Sequence, residues 1–447
     1  MEELGGGIPP REKMKGKVLI IAYCFPPMQV IGSQRPYGLA KYLKHFGWDP
    51  TVLTIRHAGN FPRGIRVLPT EYSDRIASIK RLAGFNPAAG VHQQMGIPVT
   101  KHFSYPALRS KAIKAFRELV AFPDEEIGWY GHAVETASRL MDEEKIDAII
   151  STSFPVTSHL VAKKLKQKYG VPWIADLRDL WTQNHYYGKF EAVRFLERRL
   201  ELKTLSCADA LVTISQPLAD ALKGLHAGKD VRCITNGFDP DDFKGAPSNL
   251  TEKFSITHTG RLYNGRRDPS MLLEATARLI SENRIDSTDM EIAFYGPSEE
   301  WLTADINKYG LKDIVKVRGS VPRQEAIWKQ KESQLLLLLL WNDERERGVY
   351  TGKLFEYLGA RRPILAIGGA NSIVKDLLAD TGSGRLAEDS RQLETILMQY
   401  YREFKSSGEV AYHANDRLEY YSYNSIARQY SRILYEVTAL RPNGGRP

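Results

Sequence analysis

The sequence is poor in cysteine and contains no long apolar run. Its 447 residues include only three cysteines, Cys24, Cys207 and Cys233, which lie far apart. This number and spacing exclude a disulfide framework and a paired-cysteine metal site, and they suit a reducing cytoplasm. The six consecutive leucines at 335–340 are far too few to span a bilayer.

Acidic residues are outnumbered by basic ones. The chain has 62 Lys and Arg against 53 Asp and Glu, a formal charge of +9 and a pI near 9.2. Such a charge favours an anionic partner, and a nucleotide, an anionic membrane surface and nucleic acid all remain open. Residues 1–17 mix Gly, Pro and both charges without an apolar core, so they do not form a signal peptide. We expect a disordered leader over 1–16 in a cytoplasmic protein.

Two common nucleotide-binding fingerprints are missing. The loop after the first predicted strand holds Gly32 and Ser33 but lacks the GxGxxG spacing of a dinucleotide site. The stretch from Gly348 to Lys353 resembles a P-loop but is one residue short between its glycines. Leu354 also stands where a Ser or Thr should hold magnesium.

Short apolar runs alternate with amphipathic helical patterns along most of the chain, which predicts an α/β fold with two parallel sheets. The pattern restarts after a polar, Pro- and Gly-containing linker at 241–252. We therefore predict an N-terminal domain at 17–240 and a C-terminal domain at 253–415. The last segment, 416–447, should be a helix that packs back on the N-terminal domain, followed by a polar tail.

Residues 56–130 show no clear strand pattern. Within them, 110–120 forms a basic amphipathic helix. Such a helix can rest on an anionic membrane surface, which would place the protein peripherally on the inner face of the membrane. An ordinary surface helix with extended basic side chains explains the same pattern.

A strand, loop and helix pattern at 335–360 indicates an anion site. Gly352 and Lys353 fall at the predicted helix start, where backbone N–H groups and the positive end of the helix dipole favour an anion. Glu356 lies one turn further along. Either a nucleotide diphosphate binds here, with Glu356 on the ribose, or this is an ordinary α/β crossover.

The strand predicted at 171–176 ends in Asp176, Arg178 and Asp179. Two carboxylates and a guanidinium so close together either form an internal ion pair that fixes the loop or line a ligand-binding cleft.

The motifs taken in order resemble one enzyme family. They are FPP at 25–27 with GSQR at 32–35, DLRDLW at 176–181, ITNGFD at 234–239, GRL at 260–262 with two arginines at 266–267, and KLFEYL at 353–358. This set resembles the retaining GT-B glycosyltransferases of the large family 4 type that makes bacterial polysaccharides and lipid-linked sugars. The resemblance implies two Rossmann-like domains that face each other across a cleft.

The resemblance also implies a role for each matching position. The implied cations for the leaving phosphate are Arg261, Arg266, Arg267 and Lys353. The implied donor-binding residues are Gly260, Gly319, Val321, Thr351, Gly352, Leu354 and Glu356. The implied acceptor-side residues are Gly32, Ser33, Arg35, Arg178 and Asp179. With such cations and a helix start to stabilise the departing diphosphate, we expect no metal or other cofactor to be required.

Three features depart from the family pattern. Gly348 stands where relatives often have a sugar-contacting Glu, with Glu344 and Glu346 nearby. Ser151, Thr152 and Ser153 stand where many relatives carry a His, so we do not assign that role to His159. Arg in place of the usual Lys in the donor loop keeps the charge and offers more hydrogen-bond donors.

The sequence therefore predicts a glycosyltransferase that moves a sugar from a nucleotide sugar to a saccharide or lipid-linked acceptor, in bacterial surface polysaccharide synthesis. One alternative is a nucleotide-sugar epimerase on the same architecture. Another is a basic, non-catalytic binding or scaffold protein. The basic residues are dispersed through both halves, so we expect no nucleic-acid partner.

Overall fold

The computed structural model describes residues 16–74, 118, 121–184, 189–245, 249–346, 348–369 and 373–439. These residues form two compact units. Unit 1 combines the chain up to Thr235 with the chain from Ile426 onward, and unit 2 is Asn236–Ser425. The expected leader, the basic helix at 110–120 and the polar tail lie outside the described residues, apart from Gly16 and Glu118.

Unit 1 is built on seven parallel strands. In chain order they are β1 (Gly16–Ile21), β2 (Trp48–Ile55), β3 (Arg66–Thr70), β4 (Ala148–Ser153), β5 (Trp173–Leu177), β6 (Ala210–Thr213) and β7 (Val231–Cys233). Their order across the sheet is β3-β2-β1-β4-β5-β6-β7. The chain moves outward from β1 to β3 and then returns to place β4 on the other side of β1. The direction of winding therefore reverses between β1 and β4.

Helices connect these strands. They are α1 (Gln34–Tyr42), α2 (Tyr130–Glu143), α3 (Thr157–Tyr169), α4 (Glu191–Leu205) and α5 (Gln216–Leu225). Helix α5 begins as its sequence predicts, because the Ser215 side chain caps the N–H of Leu218 and Pro217 lies in the first turn. Helix α3 ends at Gly170, which has φ +63°.

Strand β3 lies in the segment where the sequence shows no strand pattern. It is the outermost strand of the sheet and pairs only with β2 among the described strands. Four of its five residues are partly or fully exposed, and Pro69 is one of them. An edge strand tolerates proline and needs no continuous apolar run, which explains why the sequence does not reveal it.

Unit 2 is built on six parallel strands. They are β8 (Phe254–Thr259), β9 (Met290–Tyr295), β10 (Val315–Val317), β11 (Leu335–Leu339), β12 (Ile364–Ile367) and β13 (Gly384–Ala387). Their order is β10-β9-β8-β11-β12-β13, so the winding reverses between β8 and β11. The helices are α6 (Ser270–Ser281), α7 (Glu300–Lys308), α8 (Arg323–Glu332), α9 (Gly352–Ala360), α10 (Ile373–Thr381) and α11 (Ser390–Ser407).

The leucine run forms a strand that is buried on both faces. Leu335, Leu337 and Leu339 pack in the apolar cluster on one side of the sheet. Leu336 and Leu338 pack in the cluster on the other side, with α9. Because side chains alternate along a strand, a central strand covered by helices on both faces requires an unbroken apolar run.

The last described helix, α12 (Tyr423–Ala439), belongs to unit 1 from Ile426 onward. Tyr430 is fully buried there, and the Tyr435 hydroxyl donates to the carbonyl of Phe46 (2.7 Å). Across the described ranges, no helix combines the length and the apolar character needed to cross a membrane.

Candidate functional site

In open parallel sheets, ligands bind at the carboxyl ends of the strands where the winding reverses. In unit 2 this point lies between the end of β8 at Thr259 and the end of β11 at Leu339. Helix α9 starts after β11, at Gly352. The sequence-predicted donor loop and helix start thus both follow strands that flank the reversal point.

Gly260 and Lys353 are in close contact. Gly260 has φ +112°, and a Cβ added to it would overlap Cε and Nζ of Lys353. On its other side, a Cβ on Gly296 would overlap the Gly260 carbonyl oxygen. Glycine is therefore required at both positions, and the Lys353 ammonium lies against the backbone that follows β8.

The start of α9 is capped and carries a perturbed lysine. The Thr351 hydroxyl accepts a hydrogen bond from the backbone N–H of Lys353 (3.2 Å). Burial lowers the pKa of the Lys353 ammonium to about 8; the Glu356 carboxylate opposes this shift and the Arg267 guanidinium adds to it. Near neutral pH the lysine is thus a desolvated cation next to helix N–H groups, which suits an anion.

Glu356 is half-buried and held by helix α8. Gln330 donates from Nε2 to Glu356 Oε1 (2.5 Å), and the Arg323 Nε lies 3.7 Å from Glu356 Oε2. Gln330 is fully buried and also donates to the Thr259 hydroxyl (2.9 Å). The carboxylate is therefore fixed in place by two side chains while it keeps solvent access.

His258, one residue before the end of β8, is also buried at this point. Its Nδ1 is 3.0 Å from the carbonyl oxygen of Leu337, which can only accept, so Nδ1 carries the proton. Burial, together with smaller effects of Lys353 and Arg267, lowers the pKa of His258 to about 3. The neutral ring leaves Nε2 without a hydrogen-bond partner among the described residues.

The arginines of the donor loop stack on aromatic rings. The Arg266 guanidinium lies 5.0 Å from the Trp341 ring centroid, and that of Arg267 lies 4.8 Å from the Tyr263 ring centroid. The two rings meet edge to face at 6.0 Å. Arg261 is exposed. Stacking restricts the motion of the two guanidiniums, and guanidinium N–H groups suit the binding of an anion.

The remaining donor-side residues lie at other places. Gly319 (φ +75°) and the half-buried Val321 follow β10, which is two strands away from β8. Leu354, in the first turn of α9, has a buried side chain and contributes its backbone to the helix start. Gly348, where relatives often have a Glu, is buried, and a short 3-10 helix at Glu344–Glu346 precedes it.

Arg35, predicted on the acceptor side, lies in a buried network of unit 1. Arg35 is 1% exposed and donates to both carboxylate oxygens of Asp176 (2.9 and 3.1 Å). It also donates to the carbonyls of Ile234 and Thr235 and to the Tyr430 hydroxyl. Of the two interpretations of the motif, Asp176 therefore fits the internal ion pair.

The Arg178 side chain connects its own loop to two others through hydrogen bonds to their backbone carbonyls. It donates to the carbonyls of Gly32 (2.6 Å), Ser153 (2.6 Å) and Phe154 (3.4 Å). A Cβ on Gly32 would lie 2.9 Å from the Arg178 Nη1, so the small residue permits this approach. Ser33 is buried and donates to the carbonyl of Val30, while Asp179 is half-buried. Gly32 and Arg178 are thus brought together, at the carboxyl end of the sheet.

Comparisons with known proteins give a family match and a shared fold. Residues 34–242 match the family described as Glycosyltransferase Family 4. The chain is a glycosyltransferase. No curated protein matches the sequence. The family-4-type GT-B resemblance and the pair of Rossmann-like domains predicted from the sequence are thereby confirmed.

Solved structures share the fold at low identity. Sucrose-phosphate synthase (tll1590) from Thermosynechococcus elongatus is 14% identical with a TM-score of 0.62, over 96% of this chain and 100% of that one. The trehalose-6-phosphate phosphatase N-terminal domain of Candida albicans is 12% identical with a TM-score of 0.61, over 98% and 100%. Anabaena Alr3699/HepE in complex with UDP and glucose is 16% identical with a TM-score of 0.56, over 94% and 99%.

Sequence reasoning missed two buried residues that lie beside the predicted donor residues, His258 and Gln330. His258 is the one ionisable residue in an otherwise apolar or hydroxylic strand, FSITHT, which is a usable signal. Gln330 lies on a polar helix with no periodic pattern, and its contact with Glu356 is created only by tertiary packing.

Proposed function

We propose that this glycosyltransferase takes its sugar from a nucleoside diphosphate sugar bound at the reversal point of the unit 2 sheet. The observation that carries the proposal is the contact between Lys353, at the start of α9, and Gly260, directly after β8. The diphosphate would lie at the start of α9, on the N–H of Gly352 and the ammonium of Lys353, because the N–H groups of Lys353 and Leu354 already donate to Thr351. Negative charge that develops on it as the glycosidic bond breaks would be stabilised by these groups.

Glu356 would bind the ribose. Its carboxylate is one turn from Lys353, half-buried and held by Gln330 and Arg323. A fixed carboxylate suits two adjacent hydroxyl donors. The UDP and glucose named for the Anabaena relative support a nucleotide-sugar donor here.

Arg261, Arg266 and Arg267 would complete the charge at the leaving group. With Lys353 they supply up to four cations, and we propose that the transfer is retaining and needs no metal ion. The acceptor, a saccharide or lipid-linked saccharide as in surface polysaccharide synthesis, would bind unit 1. The formal charge of +9 supports contact with an anionic membrane surface that carries such an acceptor.

A panel of UDP-, GDP- and ADP-sugars tests the donor. We expect one of them to bind saturably and to be slowly hydrolysed, and we expect Glu356→Ala to weaken its binding roughly tenfold or more, as loss of a charged hydrogen-bond acceptor does. Glu274→Ala, at an exposed carboxylate on α6, is the matched control. If no nucleotide sugar binds, the proposal fails. If one binds and Glu356→Ala binds it equally well, the donor site lies elsewhere.

A further inference from the structure

The sheet of unit 1 has its own reversal point, between β1 and β4. Tyr23 lies two residues beyond the end of β1, and Ser153 is the last residue of β4. Parallel strands end at the same edge, so both residues lie where an open sheet of this kind binds its ligand.

The segment at 124–129 is held rigidly beside this edge. Asp124 accepts hydrogen bonds from the backbone N–H (2.8 Å) and the hydroxyl (2.6 Å) of Thr157, at the start of α3. Five residues later, Trp129 is fully buried and donates from its indole N–H to the Thr70 hydroxyl (2.6 Å). Both ends of the segment are therefore anchored to different elements of the unit.

Glu126, between these anchors, is left without a side-chain partner. Its half-buried carboxyl meets only its own backbone N–H among the described residues. Burial, together with smaller effects of the nearby Asp124 and Glu125, raises the pKa of Glu126 to about 8. A carboxyl that is desolvated, fixed in position and unpaired does not stabilise the fold, and this combination is typical of ligand-binding sites.

Two hydroxyl groups at this edge of the sheet, those of Tyr23 and Ser153, are also unpaired among the described residues. The Tyr23 ring packs edge to face on Trp129 (centroids 5.4 Å apart), and its hydroxyl has no partner in the described ranges. Burial raises the pKa of Tyr23, and the largest charge effect on it comes from Glu126. Ser153 is fully buried, and its hydroxyl likewise finds no partner in the part of the chain that the structure describes.

Strand alternation places Ser153 on the same side of the sheet as Glu126. Ser151 is two residues earlier in β4 and contacts His159 of α3 (2.7 Å). Ser153 therefore lies on the face covered by α3 and α2, and the segment at 124–129 leads directly into α2.

We propose that Glu126, Tyr23 and Ser153 form a binding site for a sugar hydroxyl of the acceptor. This inference rests on the proposed function and specifies its acceptor side. A hydroxyl can donate to Glu126 and accept from Tyr23 or Ser153, which satisfies all three groups. Unpaired carboxyl and phenol groups disfavour an anionic ligand, and the aromatic rings of Tyr23 and its neighbour Tyr72 suit the apolar face of a sugar ring.

Octyl glycosides below their micelle concentration test the site. The probes are octyl β-glucoside, octyl β-galactoside and octyl N-acetyl-β-glucosaminide, followed by saturation-transfer NMR. We expect saturable binding of at least one to the wild-type chain. Glu126→Leu should weaken it roughly tenfold and Tyr23→Phe, which keeps the ring packing, about fivefold, as the loss of one hydrogen bond does. Glu135→Leu, at an exposed carboxylate on α2, should bind like the wild type.

Two outcomes overturn the inference: none of the three glycosides binds the wild-type chain, or both site variants bind as tightly as it does. The nucleotide-sugar panel is measured on the same samples. Intact nucleotide-sugar binding without glycoside binding rejects the acceptor site alone. Absence of nucleotide-sugar binding to the wild-type chain rejects the proposed function itself.

Discussion

The ammonium of Lys353 is a cation that burial destabilises. Its pKa is lowered to about 8, with Glu356, Arg267 and the neutral His258 as its charged or titratable neighbours. Lysine is charged below its pKa, so the free protein holds a full cation near pH 7 and loses it as the pH rises through 8. A bound diphosphate would stabilise the charged form, and binding above pH 8 would take up a proton.

We therefore expect the affinity for the nucleoside diphosphate to fall above pH 8, by up to roughly tenfold per pH unit, as expected for one linked proton. Titration calorimetry from pH 6.5 to 9.5 in two buffers of different ionisation enthalpy measures both the affinity and the proton uptake. Lys353→Arg stays charged throughout and should flatten the profile. A wild-type profile that is level from pH 7 to 9.5 would contradict the assignment of Lys353 to the diphosphate.

Gln330 acts through Glu356 and is a positioning residue. Gln330→Leu removes the hydrogen bond to Glu356 Oε1 and should weaken nucleotide binding roughly five- to tenfold, as the loss of one buried hydrogen bond does. Gln324→Leu is the control, because Gln324 is exposed and its amide is 3.3 Å from the Asp242 carbonyl. Equal affinities of the Gln330 variant and the wild type would show that Glu356 is oriented by other groups.

At the scale of elements, the site depends on how two segments approach each other. The strand that ends at Thr259 must be followed by a residue without a side chain, because Lys353 occupies the space of a Cβ. The sequence predicts the strand and the helix start from local patterns, whereas their contact depends on the pairing of β8 with β11.

Alanine substitutions at two glycines of the donor loop distinguish the effect of backbone strain from the effect of disturbing this contact. Gly260 and Gly265 both have positive φ, +112° and +80°, so Ala at either should destabilise unit 2 by about 1 kcal/mol or more. Only at Gly260 does the added Cβ overlap Lys353; at Gly265 it meets no atom of the described residues within 4 Å. Gly260→Ala should therefore weaken nucleotide binding at least tenfold more than Gly265→Ala does. Calorimetry measures the affinity of each variant, and thermal unfolding measures its stability. Similar losses in both variants would indicate strain alone.

At the scale of the whole molecule, local patterns predict the strands and helices well where they are buried. The leucine run, the apolar first strand and the restart after the linker identify two parallel sheets before any coordinates are known. Partners far apart in sequence are not predictable in this way. Arg35 and Asp176 are 141 positions apart, and Tyr430 joins them from 254 positions beyond Asp176.

This buried network links both ends of the chain within unit 1. The Tyr430 hydroxyl donates to Asp176 Oδ1 (2.7 Å) and lies 2.8 Å from the Arg35 Nη2. Burial alone would raise the pKa of Asp176, but the Arg35 guanidinium and the Tyr430 hydroxyl hold it below its usual value. The carboxylate is thus charged in the fold, and every hydrogen bond it accepts offsets the unfavourable desolvation.

Tyr430→Phe should therefore destabilise unit 1 by roughly 1–3 kcal/mol, because it leaves Asp176 with one donor fewer while the ring still packs. Tyr435→Phe, on the same helix, removes a hydrogen bond between a 36%-exposed side chain and the Phe46 carbonyl, and it should change stability by less than about 1 kcal/mol. Urea unfolding followed by tryptophan fluorescence measures both.

The effect of Tyr430→Phe should also depend on pH. Since the pKa of Asp176 is depressed, the stability that its charged form contributes is present at neutral pH and disappears as the pH falls through that value. The difference in stability between Tyr430→Phe and wild type should therefore shrink in acid. Equal unfolding midpoints for the two variants at pH 7 would mean that Tyr430 contributes only its ring to the fold.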